Sequence, residues 1–246
     1  MSISSLQPYL HDDQWLAGLF KRKVYRLKVE RDLIEAPASL MRDLSRTLQQ
    51  GEIFCYAKVG TTDLSGIRFL ESLGFNLIEA TVTLRKKVGA PAGREEAVNV
   101  RFAEDQDREG VKALAARNFI YSRFHMDPLI SRDLANEVKA GWAENFFFKK
   151  RGDNMVVAYE GASLAGFLQL LYSGKDLVID LIAVEEKFRR MGVARHMIHF
   201  AETALKGFEE MAVGTQIANV PSIRLHEGLG FKMASSSYTF HYHHFP

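Results

Sequence analysis

The feature that most constrains this chain is a helix-like segment that occurs twice, once in each half of the sequence. Asp63–Phe75 and Asn219–Phe231 align without gaps, and each copy leads into a stretch that alternates polar and apolar residues. A glycine followed by a phenylalanine at the end of each copy is typical of a helix C-cap, with glycine in the left-handed region and the aromatic ring packed back on the helix. The repeat therefore predicts two copies of a unit made of helix, turn and strand. Six residues of the first copy have identical partners in the second: Ile67, Arg68, Glu71, Leu73, Gly74 and Phe75.

A single repetition excludes a solenoid, which needs an array of stacked units, and favours two related half-units instead. The best linker candidate is Val88–Arg94, which contains two glycines and a proline after a strand-like run. We therefore expect an N-terminal half-domain at residues 1–93 and a larger domain at residues 94–246, both within the usual size range of domains.

The larger part alternates strand and helix patterns, which predicts a mixed sheet with helices on its faces, an α/β (α+β) fold. Its second element shows Val111, Leu114 and Ala115 on one helical face. The predicted strands are Ala97–Arg101, Met155–Tyr159, Leu164–Tyr172, Leu177–Val184, Met211–Thr215 and Met233–Tyr242. The predicted helices are Asp105–Phe119, Asp133–Phe148, Gly192–Leu205 and Pro221–Gly228.

Composition excludes several classes of protein. The formal net charge of +2 argues against a duplex-binding protein, which usually has a concentrated basic face, so we expect no nucleic-acid partner. The lone cysteine, Cys55, lies in an apolar run, which favours a buried strand thiol over a nucleophile. We see no signal peptide and no membrane-length apolar stretch, so we expect a cytoplasmic protein with no membrane partner.

The segment Leu181–His196 contains the most informative chemistry. A buried strand ends near Val184, and Gly192 then opens a helix with the small residue Ala194 in its first turn. Free amides and the positive end of the helix dipole make such a terminus a phosphate site. A solvated helix start with surface arginines is the alternative interpretation, since short motifs match by chance.

Two pieces together resemble the GNAT superfamily of N-acetyltransferases. They are Arg189-x-x-Gly192-x-Ala194 and Asn219-x-x-Ser222-x-x-Leu225-His226-Glu227-x-x-Gly230-Phe231, in the order that the family has. The resemblance implies a GNAT fold, acetyl-CoA as acetyl donor and a truncated GNAT-like half-domain at the N-terminus that binds no CoA. It places the pantetheine arm on Ile182, Ala183 and Val184, and further CoA contacts on Arg189, Arg190, Met191, Gly192, Val193, Ala194, Arg195, Asn219 and Ser222.

A narrower resemblance covers nearly the whole chain. The loop Tyr121–His125, the pair Thr215-Gln216 before Asn219, and Leu73–Glu79 are similar to the TDP-fucosamine acetyltransferases, which acetylate a nucleotide-linked amino sugar. This resemblance assigns substrate binding to Tyr121, Arg123, Phe124 and His125. Arg123 suits phosphate or carboxylate because its planar fork matches these groups.

One position departs from the family. Where the family has the tyrosine taken to protonate the departing CoA thiolate, this chain has His226, so we expect His226, together with Asn219, at the catalytic centre. A histidine is only partly protonated at pH 7, so it serves either as the acid or as a hydrogen-bond donor to sulfur. Glu79 and Asp180 are candidates for the base that deprotonates the amine, although structural ion pairs are the simpler role for both.

The sequence thus predicts an enzyme that transfers acetyl from acetyl-CoA to a small-molecule amine, with a nucleotide-linked deoxyamino sugar favoured. The alternatives are a GNAT that acts on another amine, such as a peptide, an antibiotic or a small metabolite, and a non-catalytic CoA-binding protein. No metal-ligand spacing is present, so we expect no metal. The aromatic final strand predicts a homodimer on condition that it lies at an exposed sheet edge.

Overall fold

The computed structural model describes residues 6–88 and 99–246. Within these ranges the chain forms ten strands and nine α-helices. The strands are β1 (Leu10–Asp12), β2 (Lys23–Leu27), β3 (Ile53–Gly60), β4 (Asn76–Lys87), β5 (Asn99–Phe102), β6 (Asn154–Glu160), β7 (Ser163–Ser173), β8 (Asp176–Val184), β9 (Glu210–Gln216) and β10 (Lys232–His244). The helices are α1 (Gln14–Phe20), α2 (Arg31–Ile34), α3 (Ala38–Leu48), α4 (Leu64–Ser72), α5 (Arg108–Asn118), α6 (Arg123–Met126), α7 (Arg132–Phe147), α8 (Val193–Ala204) and α9 (Val220–Gly228).

The predicted elements of the larger part are present, with bounds that shift by a few residues. The predicted helix face of α5 is buried, since Val111, Leu114 and Ala115 are at most 1% exposed. The one-turn helix α6 was predicted as loop; four residues are too few to show a helical period. Ala97 and most of the proposed linker lie outside the described residues, and the division at residue 93 stays a prediction.

The chain folds into two compact units that take their residues from both halves of the sequence. The first unit comprises the described residues up to Thr81, Ser122–Leu134, and the residues from Ser235 onward. Its strand order is β1-β2-β3-β10, followed by the first half of β4. The β2–β3 pair is parallel and the β3–β10 pair is antiparallel, so the sheet is mixed. Cys55 is fully buried in its apolar core, as predicted.

The second unit comprises the described parts of Val82–Tyr121 and Ala135–Ala234. Its strand order is the second half of β4, then β9-β8-β7-β6-β5. The β8–β9 pair is parallel, and β5 to β8 are joined by antiparallel pairs. A core beneath α8 includes Met197 and Ile198, and a second core contains Val111 and Phe167. The mixed α/β fold class predicted from sequence is therefore confirmed.

The repeated segment has the same capping in both copies. The Oδ1 atom of Asp63 accepts a hydrogen bond from the Gly66 amide, and that of Asn219 accepts one from the Ser222 amide. At the other end the amide of Phe75 donates to the Leu70 carbonyl, and the amide of Phe231 donates to the His226 carbonyl. With the preceding glycines at φ +82° and +89°, both ends are Schellman motifs. The predicted C-caps are therefore confirmed.

The strand that follows each repeat crosses into the other unit. Strand β4 follows α4 of the first unit, yet its residues from Val82 onward belong to the second. Strand β10 follows α9 of the second unit, yet its residues from Ser235 onward belong to the first. Each unit thus receives strand residues from the other copy of the repeat.

Two further observations bear on the predicted partners. In the part of the chain that the structure describes, no helix combines the length and the apolar character needed to cross a bilayer. Strand β10 lies between β3 and β4 in the first unit, so it is not a sheet edge. The condition on which the homodimer prediction depends is therefore not met.

Candidate active site

The parallel strands β8 and β9 pair only over their first halves. Their register runs from Asp176 opposite Glu210 to Ile179 opposite Val213. Strand β8 continues to Val184 and stays paired with β7 on its other side, with a bulge after Ile179. The backbone of Ile182–Val184 therefore has one edge engaged by β7 and, within the described residues, no register with β9. The groups of this edge that do not face β7 can pair with an extended amide-containing ligand, apart from the Val184 carbonyl, which accepts a hydrogen bond from Arg189.

The loop after β8 presents the first turn of α8. Arg190 and the N-cap residue Gly192 both have left-handed backbone, with φ +66° and +83°. The amides of the first turn of any helix have no intrahelical partners. No side chain of the N-cap residue binds them in α8 either. One turn further on, Nδ1 of His196 is buried and has no hydrogen-bond partner among the described residues. Free amides, the helix dipole and an unsatisfied polar atom together fit a phosphate group.

The arginines of this loop differ in whether their side chains bind other parts of the protein. Arg189 donates from Nε to the Val184 carbonyl at 3.2 Å and from Nη2 to Oδ1 of Asn118 at 2.8 Å, so it braces the loop. Arg190 and Arg195 are exposed, as is Met191. Their side chains can therefore reach an anion at the helix start without breaking a packed contact.

Helix α9 places His226 in the interior of the second unit. His226 is completely buried, and its ring meets the ring of Phe231 edge-on with 5.2 Å between centroids. Its Nδ1 lies 2.8 Å from the carbonyl oxygen of Ser222, whereas its Nε2 is buried with no hydrogen-bond partner in the described chain. Burial lowers the pKa of His226 below its ordinary value. Asn219 is the N-cap residue of α9, the same structural role that Asp63 has in α4.

The two carboxylates considered as bases have other partners. Asp180 accepts two hydrogen bonds from Arg151, both at 2.7 Å, and a third from Gln169 at 2.9 Å. Asp180 is therefore engaged in a bidentate ion pair, the structural role considered for it from the sequence. Glu79 belongs to the first unit, where its Oε1 accepts long hydrogen bonds from Thr81 and Thr239.

The predicted substrate loop is divided between the two units. Tyr121 is half-buried at the end of a second-unit segment, whereas Arg123, Phe124 and His125 belong to the first unit. Phe124 is fully buried beside Phe20, so its ring supports the loop from inside the core. Nδ1 of His125 bonds the Ser122 hydroxyl at 2.7 Å. Of these three side chains, the half-buried Arg123 has the best chemistry for an anionic ligand.

Arg123 is one end of a buried relay of five side chains that sequence reasoning missed. Its Nη1 lies 3.1 Å from Nε2 of His241, whose Nδ1 lies 2.6 Å from Oδ2 of Asp127. The same oxygen is 2.7 Å from Nε2 of His243, whose Nδ1 is 3.1 Å from Nη2 of Arg22. Histidines two residues apart in a strand share one face, and this spacing was the available signal.

The donors fix every proton in this relay. Arginine only donates, so His241 accepts at Nε2 and His243 accepts at Nδ1, and each ring then donates its one proton to Asp127. Burial lowers the pKa of His241 to about 4, which agrees with a neutral ring. Burial alone would raise the pKa of Asp127, but hydrogen bonds from His241, His243 and the Leu129 amide hold it well below the usual range.

Asp127, His241 and His243 also bring three potential metal ligands within 4.8 Å of one another. A metal ion would have to displace the two ring protons that now bind Asp127. Those protons could move only to the ring nitrogens that face Arg22 and Arg123, which are donors themselves. The arrangement therefore fits a hydrogen-bonded relay better than a metal centre.

Comparison with known proteins defines the family. Residues 119–231 match the model described as Acetyltransferase (GNAT) family. This span contains strands β8 and β9, whose pairing ends at Ile179 and Val213, the uncapped first turn of α8, and the second copy of the repeat with His226. Residues 119–231 form a GNAT acetyltransferase domain. The family predicted from sequence is thereby confirmed, and it supports the predicted enzyme class, an N-acetyltransferase.

Individual relatives agree with the GNAT domain. The chain is 33% identical over 140 residues to the "Spore coat polysaccharide biosynthesis protein SpsD" of Bacillus subtilis (strain 168), a match that covers 56% of this chain and 48% of that protein. The chain therefore spans about half the length of this curated relative. In fold it is similar to a GCN5-related N-acetyltransferase from Sphaerobacter thermophilus, with a TM-score of 0.59, 12% identity and coverage of 91% and 73% of the two chains. A tandem GNAT protein from the clavulanic acid biosynthesis pathway gives a TM-score of 0.59, 13% identity and coverage of 91% and 76%.

Proposed function

We propose that this chain is an N-acetyltransferase that moves the acetyl group of acetyl-CoA directly to the amine of a nucleotide-linked deoxyamino sugar. The observation that supports CoA binding best is the end of β8–β9 pairing at Ile179 and Val213, together with the open first turn of the helix that follows β8, α8. The sugar class is supported by the likeness to SpsD, which is named for polysaccharide biosynthesis. A cytoplasmic location remains a prediction.

The donor would be held by this chain's backbone more than by its side chains. The free edge of Ile182–Val184 would pair with the amides of the pantetheine arm, and the amides of Val193–Arg195 would bind the diphosphate. Exposed Arg190 and Arg195 would add positive charge there. Acetyl-CoA supplies an activated thioester, so the remaining task is to orient the amine and manage one proton.

A charge placed in the first turn of α8 tests the diphosphate site. In Ala194→Glu the new carboxylate interacts favourably with the positive end of the helix dipole, so the thermal unfolding midpoint should stay the same or rise. The same carboxylate repels a diphosphate, so calorimetry should show acetyl-CoA affinity falling at least about tenfold, which is ~1.4 kcal/mol. The neutral control Ala194→Gln has the same size and should lose much less. Equal affinities for the two variants would contradict a diphosphate at this turn.

The identity of the acceptor can be tested by incubating the protein with acetyl-CoA and each of a panel of amines, and measuring the free CoA thiol that is released. We expect turnover with uridine- or thymidine-diphosphate 4-amino-deoxysugars and not with the free sugars, since Arg123 suits the phosphates. Turnover only with peptides, antibiotics or polyamines would assign a different amine. Tight CoA binding without turnover on any amine would assign a non-catalytic CoA-binding protein.

A further inference from the structure

The tautomer of His226 is fixed by its own helix. Nδ1 lies 2.8 Å from the carbonyl oxygen of Ser222, one turn earlier in α9. A carbonyl oxygen can only accept, so Nδ1 must hold the ring proton. Nε2 of the neutral ring is then a bare lone pair. It is an acceptor, and it has no proton to give.

This lone pair is buried without a donor. Nε2 has no hydrogen-bond partner in residues 6–88 and 99–246, and the side chain is fully enclosed. An unsatisfied buried acceptor destabilises the fold, because the group has lost its hydrogen bonds to water and gained none in return. An unsatisfied buried group calls for an explanation, and a donor supplied by a ligand is one. The resemblance to the GNAT motif assigns His226 to the catalytic centre, where the reacting groups would bring such a donor.

The sequence left two roles open for His226, as the acid that protonates the departing thiolate or as a hydrogen-bond donor to sulfur. The observed tautomer allows neither role at Nε2 as a first step, because Nε2 must gain a proton before it can give or share one. The reaction offers one source. The attacking amine must shed a proton once its nitrogen bonds the acetyl carbon, and Asp180 is already held by Arg151 and Gln169.

We propose that His226 is a proton shuttle, whose Nε2 takes the proton lost by the attacking amine and passes it to the sulfur of CoA. The inference rests on the proposed acetyl transfer. The nitrogen lone pair forms the C–N bond, the C–S bond breaks with its electron pair on sulfur, and the proton moves from nitrogen to Nε2 to sulfur. Amine and thioester become amide and thiol, and His226 returns to its starting tautomer.

The environment of the ring suits both transfers. Burial lowers the pKa of His226, so the ring is neutral and ready to accept at neutral pH. Once charged, the buried imidazolium is a stronger acid than a CoA thiol, whose pKa is about 8.5, so transfer to the thiolate is downhill. One residue thereby serves as both acid and base, for which the sequence offered separate candidates.

The tautomer of His226 can be tested without measuring catalysis. Nitrogen-15 spectra of histidine-labelled full-length protein, alone and with CoA, should show the His226 signals of an Nδ1–H tautomer. The signals are assigned by their loss in His226→Ala. Detection of the Nε2–H tautomer would overturn the shuttle but not the proposed acetyl transfer. The tautomer is read from the wild-type protein, so the result does not depend on whether a variant folds.

Kinetics test the transfer itself. His226→Ala should lower kcat about a hundredfold or more while acetyl-CoA affinity changes less than threefold, because general acid–base catalysis contributes about 10²–10⁴. Added 4-methylimidazole should restore part of kcat in this variant, which a merely structural histidine would not allow. The control His199→Ala, on α8, should keep the wild-type rate.

Each outcome separates the two proposals. Full activity in His226→Ala, or loss of activity that imidazoles do not restore, overturns the shuttle alone. A wild-type protein that turns over no amine overturns acetyl transfer, and the shuttle falls with it.

Discussion

At the residue scale, Gly192 and His226 each belong to a short sequence motif, whereas the Asp127 relay joins residues that are distant in the sequence. Gly192 and His226 were identifiable because their motif partners lie a few residues away. Asp127 and His241 are 114 positions apart, and no local pattern joins them. The acid role considered for His226 depended on its motif position and residue type, whereas the ring nitrogen that holds its proton depends on the Ser222 carbonyl one turn away.

The Asp127 relay gives the strongest stability prediction. Asp127→Asn removes the negative charge of the relay. Its NH2 group must then face either the two imidazole N–H groups at the Oδ2 position or the Leu129 amide at the Oδ1 position, so buried donors meet without an acceptor. Leaving buried hydrogen-bonding groups unsatisfied typically costs about 1–3 kcal/mol. We expect urea unfolding to show a loss of that size.

The matched control is Asp133→Asn, an exposed aspartate in the first turn of α7. It should change the free energy of unfolding by no more than ~0.5 kcal/mol. Equal losses in the two variants would contradict the relay. A rise in the wild-type unfolding midpoint with Zn²⁺, reversed by a chelator, would assign Asp127, His241 and His243 to a metal instead.

At the scale of elements, the predictions from sequence were accurate where local chemistry decides the structure. The Leu-Gly-Phe turns were predictable because glycine and the following aromatic define the cap by themselves. The partner of β10 was not predictable, since strand pairing across nearly the whole chain leaves no local signature. Alternation identified the strand and its two faces, but the neighbour, β3, is known only from the fold.

The repeated cap makes a prediction about backbone strain. Gly230 has φ +89° and open space around it, so Gly230→Ala adds left-handed strain without a steric clash. We expect a loss of about 1–2 kcal/mol in the free energy of unfolding.

Gly18 is the control, because it lies within α1 with no atom near an added Cβ and no positive φ. Gly18→Ala should stabilise the protein by up to about 1 kcal/mol. A stabilising or neutral Gly230→Ala would show that the Schellman geometry is not maintained in solution.

At the scale of the whole molecule, the compact units do not correspond to a single cut in the chain. The first unit needs Ser122–Leu134 and the last residues of the chain. It buries Phe240 and His241 of β10 against residues of the N-terminal half. A boundary near residue 93 would therefore separate strands that pair with each other.

This interleaving predicts that a chain ending at residue 231 loses the integrity of the first unit. Without β10, strand β3 loses its antiparallel partner along Ile53–Gly60, and Asp127 loses both histidines. Cys55 reports the change because it is the one cysteine of the sequence, lies opposite Tyr242 and is fully buried. Burial also raises the pKa of its thiol, which further suppresses reactivity in the intact fold. A thiol reagent should therefore label the intact chain only as fast as it unfolds, and the shortened chain at least a hundredfold faster. Equal labelling rates would show that the first unit folds without β10, and the predicted division into domains at residue 93 would then gain support.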